Sequence, residues 1–310
     1  MNILVTGGAG FIGSHVAERL LSGGHEITIL DNLKNGSREN LPSHAHFLEM
    51  DLSDPTLGDA VARLRPEVIV HLAAQIDVRA SCQDPVFDAE ENIIATLRLA
   101  TAGLANGLKQ FVFASSGGAI YGEATGPQSE AHPEVPINPY GVAKLSVDKY
   151  LYALHCQHGL LGCSLRFSNV YGPRQGPKGE AGVVAVFCKR LRETAPLVIN
   201  GDGAQTRDFV FAPDLAEAIH LAVERRAAGI INLGTGRETS VLDLASSLCR
   251  IAGVESARMT HGSAVSGEQR RSVLDPAKAK EILGWSAGTG LESGLKITYD
   301  WFQAHRPQAS

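Results

Sequence analysis

Tyr140 and Lys144 stand four residues apart in the run Tyr140-Gly-Val-Ala-Lys144, and on a helix positions i and i+4 share a face. A free phenol titrates near pH ~10, too high to be ionised at neutrality. A neighbouring ammonium favours the phenolate, and lowering the pKa by about three units corresponds to roughly 4 kcal/mol. A phenolate poised near neutral pH is a general base that contributes about 10²–10⁴-fold to a rate. Taken alone, Tyr-x-x-x-Lys is common by chance and is more often a surface pair. Here it follows the run Phe111-Val-Phe-Ala-Ser-Ser-Gly-Gly-Ala-Ile-Tyr-Gly122, a strand that ends in two hydroxyls, Ser115 and Ser116, and two glycines.

The first thirteen residues give that pair its context. An apolar run, Ile3 to Val5, enters a turn with Gly7, Gly10 and Gly13, and a helical pattern follows. In a strand–turn–helix, Gly7 permits the tight turn, Gly10 lets backbone approach a pyrophosphate and Gly13 lets helix pack on strand. The helix N-terminus offers free N–H groups to phosphate. A glycine triplet is weak evidence by itself. A second strand-like run, 26–30, ends in Asp31, eighteen residues after Gly13, where an acid bonds a ribose diol and repels a 2′-phosphate. The reading is a dinucleotide site that prefers NAD to NADP.

The bulk properties exclude several classes. Twenty-eight Lys and Arg against 33 Asp and Glu give a net charge of −5 over 310 residues, without a long basic run, so nothing suggests nucleic acid or an anionic membrane. No apolar segment approaches the ~18 residues of a membrane span, and the opening residues read as a core strand rather than a signal peptide. The five cysteines (82, 156, 163, 188 and 249) form no CxxC or His/Cys cluster at metal spacing. That pattern predicts reduced thiols, a cytoplasmic protein and no metal.

Strand-like runs at 2–5, 26–30, 45–49, 67–72, 110–115 and 161–167 alternate with helical stretches. This predicts an α/β fold, a Rossmann-type doubly wound parallel sheet whose ligands lie beyond the C-terminal strand ends. Asp51-Leu52 follows the third strand, with a helix cap as the plainer alternative. The fourth ends in Leu72, Ala73, Ala74 and Gln75, small residues against which a cofactor could lie. A helix is predicted over 88–106 carrying Asn92, which could be a plain surface amide. Beyond residue 170 the pattern predicts helices over 181–192, after Pro213, from Val241 and, last, from Pro276, with a strand over 197–200. The expected organisation is a dinucleotide domain over 1–170 to which part of 205–240 returns, and a smaller interleaved lobe over 171–310.

These motifs together resemble the extended short-chain dehydrogenase/reductases, and more closely their UDP-glucose 4-epimerase group. The resemblance rests on T-G-G-A-G-F-I-G, D-N-L, D-L, L-A-A-Q, S-S-G-G-A-I-Y-G and Y-G-V-A-K. In the second half it rests on R-F-S-N-V-Y-G-P-R, G-E-A-G-V-V-A-V-F, T-R-D-F-V, N-L-G-T-G and G-E-Q-R-R-S-V-L-D, so it spans essentially the whole chain. It implies that Gly7, Gly10, Phe11, Ile12 and Gly13 line the pyrophosphate of NAD. Asp31, Asn32 and Ser37 would hold the adenosine ribose, and Asp51 and Leu52 the adenine. Leu72, Ala73, Ala74, Gln75, Asn92 and Ser115 would run beside the rest of the cofactor, with Lys144 on the nicotinamide ribose. For a UDP-sugar it implies Asn169 and Arg207 on the diphosphate, backbone N–H groups of Gly182 and Val183, Val198 and Asn200 beside the base, and Glu268 on the ribose. A surface salt bridge with Asp208 is the plainer reading of Arg207.

The implied reaction is inversion at C4 of a UDP-hexose through a transient 4-keto sugar, with Tyr140 made a phenolate by the Lys144 ammonium and the positive nicotinamide ring together. Gly117 stands where many relatives carry the catalytic Ser or Thr, which makes Ser116 the candidate bridging hydroxyl and Ser115 the second. Dehydratases and uronate decarboxylases of this fold place an acid in this stretch, and Ser-Ser-Gly-Gly-Ala-Ile has none. Ser272, a small residue, implies room for a 2-acetamido group. Arg174, Arg79 or Arg192 could instead reach a C6 carboxylate, as in a UDP-glucuronate epimerase. A true oxidoreductase releasing a keto sugar, and a non-enzymatic dinucleotide sensor, are the further rivals. The resemblance also implies a homodimer through helices 88–106 and 140–158, with Leu151, Leu154 and Cys156 as candidate contacts.

Overall fold

Strands β1 (Asn2–Thr6), β2 (Glu26–Asp31), β3 (His46–Glu49), β4 (Val68–His71), β5 (Gln110–Ser116) and β6 (Leu161–Phe167) are all parallel in the computed structural model, which describes residues 1–123, 125–176, 182–254, 259–264 and 269–305. Successive side chains of a strand point to opposite faces, and both faces are apolar. Ile3, Val5, Ile27 and Ile29 enter one core with Val16 and Leu20. Leu4, Leu30, Ile69, Phe111 and Phe113 enter the other with Leu99, Val147 and Leu151. Burial on two sides forces helices onto both, which is the doubly wound arrangement.

On the first face lies α1 (Phe11–Ser22). On the second lie α2 (Leu57–Leu64), the short α3 (Val78–Gln83) and α4 (Pro85–Ala89), then α5 (Ala95–Ala105); past the one-turn α6 (Gly117–Ile120) comes α7 (Pro139–His158). The stretch 88–106 is therefore not one α-helix. A π-helical turn, Glu90–Ile94, joins α4 to α5, and such turns concentrate at functional positions. Asp51 does not cap α2, whose N-cap is Thr56; its carboxylate closes a turn by accepting from the Ser53 N–H at 2.8 Å.

In the second half, β7 (Asn169–Tyr171) pairs with β10 (Phe209–Phe211), and β8 (Leu197–Asn200) with β13 (Met259–Gly262). β9 (Thr206–Arg207) lies between β12 (Thr239–Ser240) and β14 (Arg271–Ser272). β11 (Gly229–Leu233) returns to the large sheet beside β6, giving the order β11-β6-β5-β4-β1-β2-β3 among the described residues. Of the helices α8 (Val183–Arg192), α9 (Ala212–Glu224), α10 (Val241–Ala252), α11 (Ala277–Leu283) and α12 (Leu291–Ala304), α9 packs on α1. α8, α10 and α12 enclose a separate apolar cluster with Phe187, Leu244 and Phe302. The stretch from Pro276 forms two helices rather than one, because Gly284 takes a left-handed φ of +59° and ends α11.

All five cysteines are free thiols. No helix among the described residues is long and apolar enough to cross a membrane. Leu151 is buried in this chain's own core at 3% exposure, so it is not available to a second copy as the sequence suggested; Leu154 packs against the same core and Cys156 is exposed.

Candidate active site

The C-terminal ends of β1, β2, β4 and β5 supply the loops that build the site. Gly7 has φ +70°, and a Cβ there would lie 2.7 Å from the Ala73 nitrogen. A Cβ at Gly13 would lie 2.0 Å from the Gly7 carbonyl oxygen, while one at Gly10 would meet that oxygen at 3.1 Å. The glycines thus hold the β1 turn, the β4 end and α1 in one cradle. The first intrahelical bond of α1 runs from the Ser14 N–H to the Gly10 carbonyl, which leaves the N–H groups of Phe11, Ile12 and Gly13 without an intrahelical acceptor. That is an anion site at a helix N-terminus. It fits a dinucleotide pyrophosphate.

Asp31, 7% exposed, accepts from the Ala9 N–H at 3.0 Å and the Leu33 N–H at 2.8 Å. It therefore ties the glycine turn to the end of β2, and each carboxylate oxygen keeps acceptor capacity for a diol. Gly36, which the sequence reading passed over, packs beside it: a Cβ there would lie 3.0 Å from Asp31 Oδ1. Ser37 donates its N–H to the Ala9 carbonyl. Asn32 donates to Asp51 Oδ2 at 2.6 Å, and hydrogen bonds from Ser53 and Asn32 hold the Asp51 carboxyl below its usual value. Leu52 is buried beneath them.

On the other side of the cradle, Leu72 and Ala73 donate to Thr6, and Ala74 is half-buried. Asn92 is no surface amide. It is 3% exposed; its Oδ1 accepts from the Gln75 N–H at 3.0 Å, and its Nδ2 donates to the Gln75 carbonyl and to Asp88 Oδ1, each at 2.9 Å. The π turn presents this side chain to the β4 loop, so Asn92 acts on the cradle by clamping Gln75.

Asn138 caps α7 by accepting from the Gly141 N–H at 2.8 Å, with Pro139 in the first turn. This fixes Tyr140 one residue in. Its side chain is hydrogen-bonded to that of Ser116. Lys144, 3% exposed, donates to the Ala114 carbonyl at 2.9 Å, with its Nζ 5.6 Å from the Tyr140 ring centroid. Burial lowers the Lys144 ammonium to about 8, against the opposing pull of Asp148 and Asp88. Burial raises the Tyr140 phenol above its ordinary value, Asp88 adds to the rise, and the Ser116 hydrogen bond opposes it. In the bare chain burial thus keeps the phenol protonated, and the sequence reading, which asks for a positive nicotinamide ring beside it as well as the Lys144 ammonium, still needs that second charge.

Tyr140 and Ser116 open into a cavity of about 220 Å³ that also meets Asn169, Arg207 and Ser272. Val78, Gly118, Ala119, Asn138, Phe167, Ser168 and Gln269 complete its lining, and of these the sequence singled out none. The Ser168 Oγ is buried there without a hydrogen-bond partner among the described residues. No carboxylate lines the cavity among the described residues. Ser115 lies outside that lining, buried on β5 toward Asp148. A Cβ at Gly117 would lie 2.5 Å from the Leu274 Cδ2, so a side chain at this position requires Leu274 to shift.

Arg207 is no partner of a surface Asp208, for Asp208 is fully buried and accepts from the N–H groups of Thr235 and Gly236. Gly182 caps α8, and the first turn beginning at Val183 presents backbone N–H groups. Val198 and Asn200 lie on the exposed face of β8, whose second edge has no strand partner among the described residues. Glu268 lies outside the described residues. Arg174, Arg79 and Arg192 do not line the cavity; Arg174 pairs with Glu18 at 2.6 Å, and Arg192 donates to the Phe302 and His305 carbonyls.

Behind the cavity the sequence reading missed a buried support. Arg166, fully buried, donates to Asp148 at 2.9 Å and to Glu134 at 2.5 Å, and its guanidinium lies 4.9 Å from the Tyr121 ring centroid. Asp148 stands two turns beyond Tyr140, so this ion pair anchors α7 to β6. An arginine alternating with apolar residues in a predicted strand was the available signal.

Residues 3–234 match the model of the NAD dependent epimerase/dehydratase family. The UDP-glucose 4-epimerase of Mycolicibacterium smegmatis is 41% identical over 316 residues, covering 98% of this chain and 99% of that one. The crystal structure of UDP-glucose 4-epimerase from Thermotoga maritima with UDP-glucose superposes with a TM-score of 0.95 at 44% identity, covering 98% and 99% of the two chains. That of the Thermus thermophilus UDP-glucose 4-epimerase with NAD gives 0.93 at 40% identity, again covering 98% and 99%. With its glycine cradle, its Tyr140–Lys144 helix and a family match over most of its length, this chain belongs to the NAD dependent epimerase/dehydratase family.

Proposed function

We propose that the protein is a UDP-hexose 4-epimerase that retains NAD and interconverts UDP-glucose and UDP-galactose. The observation that carries this reading is the Tyr140–Ser116 pair opening into a cavity whose described lining holds no carboxylate. Elimination across C5–C6 or decarboxylation needs a further acid or base, whereas inversion at C4 needs only the phenol. When bound, NAD supplies the acceptor for the C4 hydride and the donor for its return.

The residues of 1–170, with β11 returning to them, hold NAD in this reading: Gly7, Gly10, Phe11, Ile12 and Gly13 at the pyrophosphate, Asp31, Asn32 and Ser37 at the adenosine ribose, Asp51 and Leu52 at the adenine. Leu72 to Gln75, clamped by Asn92, border the nicotinamide half with Ser115 behind them, and Lys144 holds its ribose. Tyr140, relayed by Ser116, removes the C4 hydroxyl proton and later gives it back, so the cycle balances without net proton transfer. Between the two transfers the keto sugar must present its opposite face. Asn169, Arg207 and the N–H groups of Gly182 and Val183 anchor the diphosphate through this turn, with Val198 and Asn200 at the base and Glu268 at the ribose. The hexose end is lined by small groups (Gly118, Ala119, Ser168 and Ser272), which leave the sugar room to rotate.

Ser272 on the lining favours a second substrate pair, the N-acetylhexosamines, because a small side chain there leaves space for a 2-acetamido group. The glucuronate reading loses its carriers, since Arg174, Arg79 and Arg192 are not on the lining. The five free thiols accord with a cytoplasmic protein. The protein pairs as a homodimer through α5 and α7, where Ile94 on the π turn before α5 and Val142, Tyr150 and Tyr152 on α7 are exposed apolar side chains. A strictly monomeric mass by light scattering would refute that pairing. For the reaction, purified protein is incubated with UDP-glucose, and separately with UDP-GlcNAc and UDP-glucuronate, without added cofactor. NMR detection of UDP-galactose with no accumulated NADH is the expected result. A need for stoichiometric NAD, with release of a keto sugar, overturns the reading in favour of an oxidoreductase.

A further inference from the structure

At the opposite end of the sheet from the cradle, three side chains converge that the spacing of the sequence kept apart. His220 and Glu224 stand one turn apart on α9, so both project from one face. His25 reaches them from the turn that joins α1 to β2, where its N–H donates to the Leu20 carbonyl. One ligating atom from each of the three lies within 4.8 Å of the others, and His25 Nε2 is 2.9 Å from Glu224 Oε1. The two imidazole centroids are 5.7 Å apart. We propose that His25, His220 and Glu224 form a divalent transition-metal site, best suited to zinc, that clamps the α1–β2 turn to α9.

The donor set carries the choice of ion. Two imidazoles and one carboxylate suit zinc, which takes nitrogen and oxygen ligands at about 2.0–2.2 Å in tetrahedral geometry. Tetrahedral ligands then stand roughly 3.3 Å apart, a spacing bracketed by the distances here, so rotation of side chains completes the site. The fourth position is left to water on the side of Glu224, whose side chain is 45% exposed. His220 is 92% buried, and its Nδ1 has no hydrogen-bond partner among the described residues, so this ring is not committed to a protein partner at both nitrogens. A Cβ at Gly23 would come within 2.6 Å of the His220 ring; glycine there keeps the imidazole seated.

The charge around the cluster is mixed. Arg19 and the Met1 amino group face the histidines, and Glu217 pairs with Arg19 while Glu224 faces the cluster itself. Burial lowers both histidines below their ordinary value. The site is separate from the catalytic centre: β2 runs from beside His25 to Asp31, about 20 Å along the strand. An ion here would act on stability.

The test uses the full chain, without a histidine tag, stripped with EDTA and titrated with zinc chloride at pH 7.5 by calorimetry, with thermal melts in parallel. One saturable equivalent and a raised melting temperature are expected. Glu224→Gln, at the solvent edge, and His25→Gln, whose side chain is 6% exposed, are each expected to weaken binding at least ~10-fold, since even groups behind metal ligands matter that much, and to lose the thermal shift. His132→Gln, in the loop that follows β5 and α6 at the other end of the sheet, where its ring accepts from the Ser129 N–H, is expected to bind as the parent does. Melts without zinc establish that each variant is folded. No saturable binding, or affinity unchanged in either variant, overturns the proposal.

Discussion

Lys144 stands one helical turn after Tyr140, yet its ammonium is spent on the Ala114 carbonyl at 2.9 Å and lies 5.6 Å from the phenol ring centroid. The two residues share a face without sharing a hydrogen bond. A lysine held in this way is aimed at whatever occupies the space beyond β5, and it contributes little to ionising the phenol in the bare chain. In the proposed function, a bound NAD would supply the positive charge that this phenol needs to act as a base.

Tyr140→Phe removes one hydroxyl and keeps the ring. The variant is expected to fold and to retain UDP-sugar binding while kcat falls by about 10²–10⁴, the range of general base catalysis. Stopped-time NMR assays with calorimetric measurement of UDP-glucose binding separate the two effects. Activity equal to the parent's would remove the proposed base.

Asp88 and Ser116 pull the phenol in opposite directions, so their variants are expected to move the pH profile oppositely. The Asp88 charge raises the Tyr140 pKa; Asp88→Asn lowers it, the base is available at lower pH, and the acid limb of kcat/KM shifts down. The Ser116 hydrogen bond lowers that pKa; Ser116→Ala raises it and shifts the acid limb up. Profiles of both variants displaced in the same direction would contradict the arrangement.

Restoring a hydroxyl at Gly117 is expected to harm the protein. A Cβ there meets Leu274 at 2.5 Å, and overpacking of this kind costs about 1–3 kcal/mol. Adding Leu274→Ala opens the space, so the double variant is expected to be less destabilised than the sum of the two single changes, as contacting sites are. Urea melts of the parent, both single variants and the pair measure the coupling. Simple additivity would show that Leu274 is not the obstacle.

What the sequence made legible is what local pattern determines. Ile3, Val5, Ile27 and Ile29 alternate with Leu4 and Leu30, so both sheet faces and the strand ends could be read before any coordinate. Tyr140 and Ser116 meet in one cavity because each sits at an end of an element that the pattern had located, whereas Asn169, Arg207 and Ser272, which join them there, came from the family resemblance alone. The π turn that brings Asn92 to Gln75 was not legible, since its cause is a tertiary contact between two loops rather than a propensity. Neither was the Tyr140 pKa direction, which depends on burial and on Asp88, nor the fit of Gly117 against Leu274, which lies far along the chain. His25, His220 and Glu224 escaped because ligand spacing in sequence says nothing of residues joined only by the packing of α9 on the α1–β2 turn.

His71 is one of the groups through which acid weakens the fold. It is 1% exposed at the end of β4, with Nδ1 at 2.6 Å from Thr6 Oγ1 and Nε2 at 2.9 Å from Thr96 Oγ1. Burial, with the Lys144 charge adding to it, lowers its pKa to about 3. The folded state thus keeps this ring neutral while an unfolded chain takes up a proton below about 6.5. Stability is fully present above that pH and falls as pH drops toward 3, by about 1.4 kcal/mol per unit, or about 2 kcal/mol at pH 5. His15, His25 and His220 are lowered in the same sense, so the contribution of His71 is read as a difference. His71→Gln, neutral at every pH, is expected to start less stable at pH 7.5 and to lose about 2 kcal/mol less than the parent on going to pH 5. Urea unfolding of both proteins at the two pH values measures this. An identical acid loss in the two would mean that the His71 ring is protonated in the folded chain, and the hydrogen bonds through Thr6 to the Ala73 turn would then have to be redrawn.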